Sequence, residues 1–375
     1  MKVNQISIDE NNWSVGLDAI NIRPSVILLF VSPEFPFRQE FLSKVNLCYP
    51  DAIIIGCSTA GEISDITVKD KTISLTAIQF EKTTLKLVSL DVKNSEACKN
   101  TGKEIGEMLY NKDLKHVLVL SDGLLQNDVD LVSGLKKTLN NVSATGGFAG
   151  DGTNFKKTFV IKNNEILDNT VLALGFYGDS IQVGYGSKGG WDSFGIERLV
   201  TKSHKNVLYE LDGQPALELY KRLLGEDAKD LPGSGLLFPF KIRSGKNGVP
   251  VVRGISGINE EDQSLTFGSN IPQGAYLRLM KGNLDRLING AEEAATDAVQ
   301  GFTEASSLAI LVSCVGRRLV LRQLVEEEVE VVKEVVGNET SITGFYSYGE
   351  IAPVDKATST ELHHQTMTVT TISEC

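Results

Sequence analysis

Three times along this chain an apolar run ends in small or polar residues, an intervening segment follows, and a second short run feeds a glycine-rich turn. In the first copy Val26 to Val31 ends at Ser32 and Pro33, and Ile53 to Ile55 feeds GCSTAGEI. In the second, Val117 to Leu120 ends at Ser121, Asp122 and Gly123, and Ser143 to Thr145 feeds GGFAGDG. In the third, Leu308 to Val312 ends at Ser313 and Cys314, and Ser341 to Thr343 feeds GFYSYGEI. Self-similarity of this kind constrains the fold more than any single motif, because each copy must build the same supersecondary unit. Each copy reads as one β-α-β unit. The first and third turns share a spacing, Gly56 with Gly61, Glu62 and Ile63 against Gly344 with Gly349, Glu350 and Ile351; the second, ending at Gly150 and Asp151, is one residue shorter.

Apolar runs separated by helical segments predict a mixed α/β fold, with repeated β-α-β units forming largely parallel or mixed sheets covered by helices. At 375 residues the chain exceeds the usual single-core size, so two lobes are expected. The third unit carries the clearest long helix: Leu321, Leu324, Val325, Val331, Val332 and Val335 recur at helical spacing, Glu326, Glu327, Glu330 and Lys333 occupy much of the other face, and Gly337 stops it. That acidic run reads as a solvated face. A helix from Pro215 to Leu224, ending at Gly225, reads as a hinge between lobes. Beyond it, short β-rich runs with Gly and Pro predict a meander in the second lobe, followed by a helix from Asn283 to Ala298 and a final strand in TMTVTTI.

Several partner classes are disfavoured. A net charge of −11 repels phosphate backbones, so nucleic acid is not an expected partner. The most apolar runs, near Val26 and Ala52, fall far short of the roughly 18 residues a membrane-spanning helix needs, and the start MKVNQISIDE lacks the pattern of an export signal. Five cysteines, odd in number and without a CxxC pair, fit a reducing cytoplasm better than a disulfide framework or a zinc site. GYGSKG at 184–189 satisfies GxGxxG, but no helix pattern follows it, so no nucleotide site and no cofactor are inferred.

Ligands of such sheets sit beyond the carboxyl ends of the strands, where the three turns fall. Cys57, Ser58 and Thr59, and Gly147 in the second turn, would present backbone amides and small polar groups to an anion; the plain alternative is a tight turn chosen for packing. Glu62, Asp151 and Glu350 close the turns, either to hold a ligand amine or to cap the following backbone. Cys57 and Cys314 follow apolar strands, where a nucleophile would be displayed, yet no histidine spacing assigns a base to either, and small apolar packing is the simpler reading. Arg253 and Arg317 suit two-point binding of a carboxylate, or else an ordinary ion pair. Tyr346 and Tyr348 alternate along an extended segment, as pocket walls or as core. The His363–His364 pair lacks companions at ligand spacing, and no metal is expected.

Taken together, IIGCSTAGEI, TGGFAGDG, LDGQPALELY, LFPF with VVRGI, IPQGAYLRLMKGN, SCVGRRLVL, TGFYSYGEIAP and LHHQTMTVT closely resemble, in order, the FIST (F-box and intracellular signal transduction) family. The resemblance divides the chain into an N-terminal extension (1–24), a FIST N-terminal domain (25–212) and a FIST C-terminal domain (213–375). It implies a cytoplasmic sensory module of prokaryotic signal transduction that binds small ligands, amino acids or their derivatives having been proposed. Relatives are often fused to kinase, chemotaxis or cyclic-dinucleotide output regions, or in eukaryotes to an F-box. This chain shows neither, so signalling through a separate partner such as a kinase or chemotaxis protein, or through its own assembly, is expected. The competing expectations are a thiol-dependent enzyme using Cys57 or Cys314 and a protein-interaction scaffold. His364 stands where the family pattern is expected to carry Asn, and the family supplies no catalytic residues to carry over.

Overall fold

The computed structural model describes residues 1–14, 16–125, 128–245, 248, 250–354 and 360–375. Each repeat forms the parallel centre of its own sheet: Val26–Val31 pairs with Ile53–Ser58, Leu114–Ser121 with Ser143–Phe148, and Leu308–Cys314 with Ser341–Ser347. In each pair one glycine lies against a carbonyl of the neighbouring strand. A Cβ on Gly56, Gly146 or Gly344 would sit 2.0, 1.9 or 2.0 Å from the oxygen of Leu29, Val119 or Leu311. No side chain fits that gap, so the recurring glycine is a strand-packing requirement before it is a turn residue.

The first strand of each unit also pairs antiparallel with a later strand, Ile73–Gln79, Thr170–Tyr177 or Met367–Glu374. On the other side the units exchange strands. Glu62–Ser64, after the first turn, joins the third unit's Ser341–Ser347; Gly349–Pro353, after the third turn, joins the second unit's Ser143–Phe148; Val160–Lys162, after the second turn, joins the first unit's Ile53–Ser58. Three six-stranded mixed sheets are thereby tied into a cycle. Their inner faces share one core, with Leu28 and Phe30 from the first, Leu118 and Leu120 from the second, and Ile310, Val312 and Phe345 from the third. Helices cover the outer faces: Arg38–Cys48 on the first sheet, Cys98–Leu109 and Asp128–Leu139 on the second, Leu284–Val299 and Glu327–Val336 on the third. Buried on both faces, the central strands have to be continuously apolar, which is how they read in the sequence.

Residues 191–282 build a separate antiparallel sheet, with the long Trp191–His204 strand at its centre, over its own core of Leu208, Leu217, Tyr220, Phe240 and Phe267. This lobe is inserted into the body, whose third sheet takes strands from both sides of the insertion. The mixed α/β expectation holds. Three details differ from the sequence reading. The helix after Pro215, observed as Ala216–Leu224, buries Leu217, Leu219 and Tyr220 in the lobe's core and so is a packing element, not a hinge. The third unit's single helix is broken into Val315–Leu321 and Glu327–Val336, because Arg322 adopts a left-handed φ of 53° between them. Within the acidic run Glu328 is not solvated but fully buried. The first residues, Lys2–Ile8, form an edge strand on Ile73–Gln79. Among the described residues no helix is long and apolar enough to cross a membrane.

Candidate functional site

The strand exchange carries all three glycine-rich turns to one end of the core, where they bond to each other. Gly150 N donates to Ser58 O (2.9 Å) and Gly152 N to Thr59 O (3.3 Å), Ala60 N donates to Tyr346 O (2.8 Å) and Tyr346 N to Gly61 O (2.9 Å), and Tyr348 N donates to Phe148 O (3.1 Å). These amides are spent within the ring, so they are not free to hold an anion. The closing acids are used the same way. Glu62 accepts from the Thr59 hydroxyl and from Thr72 N and Oγ1 (3.1 and 2.8 Å). Glu350 repeats the pattern with Ser347 Oγ (2.7 Å) and Thr366 N and Oγ1 (3.1 and 2.9 Å). Asp151 accepts from the amides of Phe155, Lys156 and Lys157, each at 2.8 Å, and from the Tyr348 hydroxyl. Burial outweighs these bonds at Glu62 and Glu350 and pushes both carboxyls up to about 7.

Two adjoining cavities open between this ring and the inserted lobe, sharing Thr153, Gly233, Val315 and Leu319 as a common wall. The outer one, about 910 Å³, is lined by two ion pairs, Arg318 with Asp70 (2.8 Å) and Lys71 with Glu34 (3.1 Å), by the further charged groups Asp227, Asp230 and Arg322, and by Thr59 and Glu62. The inner one, about 510 Å³, has walls from Leu125, Phe155 and Leu319 of the body and Leu236 and Ile255 of the lobe. Its polar groups are Asp128, Cys314, Tyr348, His364 and Gln365, with Ser256 from the lobe. A mostly apolar hollow with a few convergent polar groups has the form of a small-molecule site.

The inner polar groups are arranged by contacts across the lobe boundary. Ser269, from the lobe, donates to Asp128 (2.9 Å) and lies 3.1 Å from His364 Nε2. Burial pushes the Asp128 carboxyl up to about 6, against the opposing pull of Arg253, and holds His364 well below the usual imidazole range. His364 is therefore neutral at pH 7, and its 3.9 Å approach to Asp128 is not an ion pair. The same nitrogen faces both Ser269 and Asp128, so the trio lacks the geometry of a catalytic triad, in which serine and carboxylate hold opposite ring nitrogens. Cys314 receives the amides of Gly316 and Gln365 at its sulfur, yet burial raises its thiol strongly. Gln365 is held at φ 64°, donates Nε2 to Leu236 O (3.2 Å) and receives the Trp191 indole N–H on its own carbonyl (2.6 Å).

Of the residues singled out in the sequence, Cys314 and Tyr348 line the inner cavity, and Thr59, Glu62 and Asp151 the outer. Arg253 lies behind the inner one, bridging the lobe to the body through Leu362 O (3.3 Å). The others are enclosed. Cys57 is fully buried in the central core, and Ser58 accepts Phe159 N (3.0 Å). Gly147 packs where a Cβ would meet Val312 at 2.6 Å. Arg317 forms a fully buried ion pair with Glu328 (2.7 Å), to which the Tyr346 hydroxyl also donates, and Glu350 caps Thr366 with no exposed surface. Tyr346 and Tyr348 diverge because one strand ends at Ser347 and the next begins at Gly349. Sequence reasoning passed over Asp128, Phe155, Ser269 and Gln365. The run LHHQT, polar residues entering an apolar strand, was the available signal for Gln365; Asp128 looks like any acid in a first helical turn.

Residues 25–214 match the family model described as FIST N domain, and residues 216–353 that described as FIST C domain. An uncharacterized protein of Methanocaldococcus jannaschii is 24% identical over 336 residues, covering 80% of this chain, and the chain spans 64% of that relative's length. Among solved structures, a chorismatase aligns at a TM-score of 0.39 with 8% identity, covering 99% of this chain and 98% of its own. A cyanuric acid hydrolase from A. caulinodans aligns at 0.39 with 8% identity, covering 100% and 99%. Likenesses this distant carry no inference about chemistry.

Proposed function

The chain belongs to the FIST family, whose domains are sensory domains of signal transduction, and from that premise we propose that it senses a small molecule bound in the inner cavity. The observation that carries the reading is the cavity's place: its walls come from both the three-sheet body and the inserted lobe, so an occupant changes the free energy of their contact. Output then passes to a separate signalling protein, a kinase or chemotaxis component being the expected kind. Amino acids and related metabolites are the first molecules to screen. A ligand present at a hundred times its dissociation constant adds about 2.7 kcal/mol to stability, which a thermal-shift assay reads directly. A rise in melting temperature that shrinks in Arg253→Ala is the expected result; no shift with any metabolite at millimolar concentration overturns the reading.

A thiol-dependent activity is the second reading, favoured by one observation: Cys314 and His364 line the same cavity. Its requirement is a reactive thiolate, which burial opposes. Rapid stoichiometric alkylation of Cys314 near neutral pH supports it, and the slow labelling of an ordinary buried thiol removes it.

A further inference from the structure

Gln365 is 1% exposed and forms part of the inner cavity wall. Its Oε1 is the one enclosed side-chain oxygen or nitrogen among the described residues that has no hydrogen-bond partner. The assignment of its two amide atoms follows from chemistry: the neighbour of Nε2 is the Leu236 carbonyl, which only accepts, so the nitrogen stays on that side and the oxygen is left without a donor. An enclosed acceptor left unpaired is destabilising, and one that persists beside a cavity marks a missing partner.

The preceding residue offers a second acceptor. The single hydroxyl hydrogen of Ser269 goes to the Asp128 carboxylate, so the 3.1 Å contact with His364 is made by an Nε2–H donating to Ser269 Oγ. The ring proton is then on Nε2, which makes Nδ1 an acceptor. Two glycines leave these side chains uncrowded. A Cβ on Gly268 would stand 2.9 Å from His364 Cε1 and 3.4 Å from Nδ1, and one on Gly254 would stand 3.2 Å from Gln365 Nε2. The Gln365 amide lies across Gly316, where a Cβ would come within 2.4 Å of both its oxygen and its nitrogen; Oε1 is itself enclosed, and a small turn about the soft terminal torsion, one that keeps Nε2 near Leu236 O, opens it to an arriving donor.

The same wall argues against a charged head group. It carries no lysine or arginine among the described residues, and His364 is neutral, so a carboxylate would face acceptors and Asp128 without a counter-charge. Asp128 in turn already accepts from Ser269 and the Val129 amide, and the buried Arg253 guanidinium, whose charge acts on both Asp128 and His364, would repel an ammonium.

We infer that the inner cavity takes the polar end of an uncharged small molecule that donates hydrogen bonds, a primary amide being the simplest form, with its apolar part against Leu125, Phe155, Leu236 and Leu319. This rests on the reading of the cavity as the sensory site and narrows its ligand from amino acids at large to molecules whose acidic group is absent or masked.

The test uses matched probes on the full chain: phenylacetamide, phenylacetate, phenethylamine and phenylalanine. Trp191 is a built-in reporter, because its indole N–H bonds to the Gln365 carbonyl, and a Trp13→Phe background leaves it the chain's only tryptophan. Phenylacetamide should shift Trp191 emission at millimolar concentration or below, with each charged analogue binding at least about tenfold more weakly. Gln365→Leu should weaken the amide by about tenfold, the loss expected for one hydrogen-bond acceptor. Gly268→Ala, at a site where glycine is not required by backbone conformation, should weaken it as well, and serves if the first variant folds poorly. Equal or tighter binding of a charged analogue, or an amide affinity unchanged in both variants, overturns the inference while leaving the cavity as a ligand site. Silence of Trp191 toward all four probes overturns it too. If a metabolite then raises the melting temperature without moving Trp191, the sensory reading survives and this site does not.

Discussion

The acids that close the glycine-rich turns show how burial reassigns a residue. From the sequence Glu62 and Glu350 were as well suited to a ligand amine as to capping; in the structure both are enclosed and engaged by threonine amides and hydroxyls. Their carboxyls titrate at about 7 instead of the ordinary 4.5, so the folded state binds more protons than the unfolded one between those values. Stability therefore falls as pH rises through that window, by roughly 3 kcal/mol for each group, and is flat above it. Glu350→Gln should flatten part of the slope of melting temperature against pH between about 4.5 and 7; an unchanged slope contradicts the assignment. The Arg317–Glu328 pair makes a second residue-scale case. Removing one partner, as in Arg317→Ala, leaves a buried charge alone and should cost about 3–5 kcal/mol in denaturant unfolding, whereas Arg317→Met with Glu328→Leu should recover most of it.

At the scale of elements, the repeat was legible because a strand buried on both faces has to be continuously apolar, and the glycine opposite each neighbouring carbonyl cannot be replaced. Gly344→Ala drives a methyl group against Leu311 O and should destabilise by about 3 kcal/mol or more, read as lost soluble expression or an early thermal transition. Phe345→Ala removes the ring that stacks on Phe30 between two sheets and should cost about 3–5 kcal/mol. The strand exchange was not legible. Short segments such as Glu62–Ser64 carry no mark of the sheet they join, because pairing partners are chosen by the geometry of the closed core.

For the whole molecule, the contact between body and lobe is the feature on which the proposed sensing rests. Its polar links near the cavity include Ser269 to Asp128 and His364, Gln365 to Leu236 and Trp191, and Arg253 to Leu362. Ser269→Ala should leave both cores intact while speeding amide hydrogen exchange along this boundary, and a bound ligand should slow it again. If exchange is the same in variant and wild type, the links do not govern the boundary.

The sequence by itself determined the three β-α-β units, the mixed α/β class, the family and the end of the sheets at which a site would lie, since periodicity and glycine spacing are local properties. It also marked Cys314 and Tyr348, which line the inner cavity. Only the tertiary structure decided that the turns spend their amides on each other, that Cys57, Arg317 and Tyr346 are enclosed, and that Asp128, Ser269, His364 and Gln365 meet. They come from three separate segments of the chain, and what brings them together is the docking of the inserted lobe on the cyclic body, a contact that no local pattern encodes.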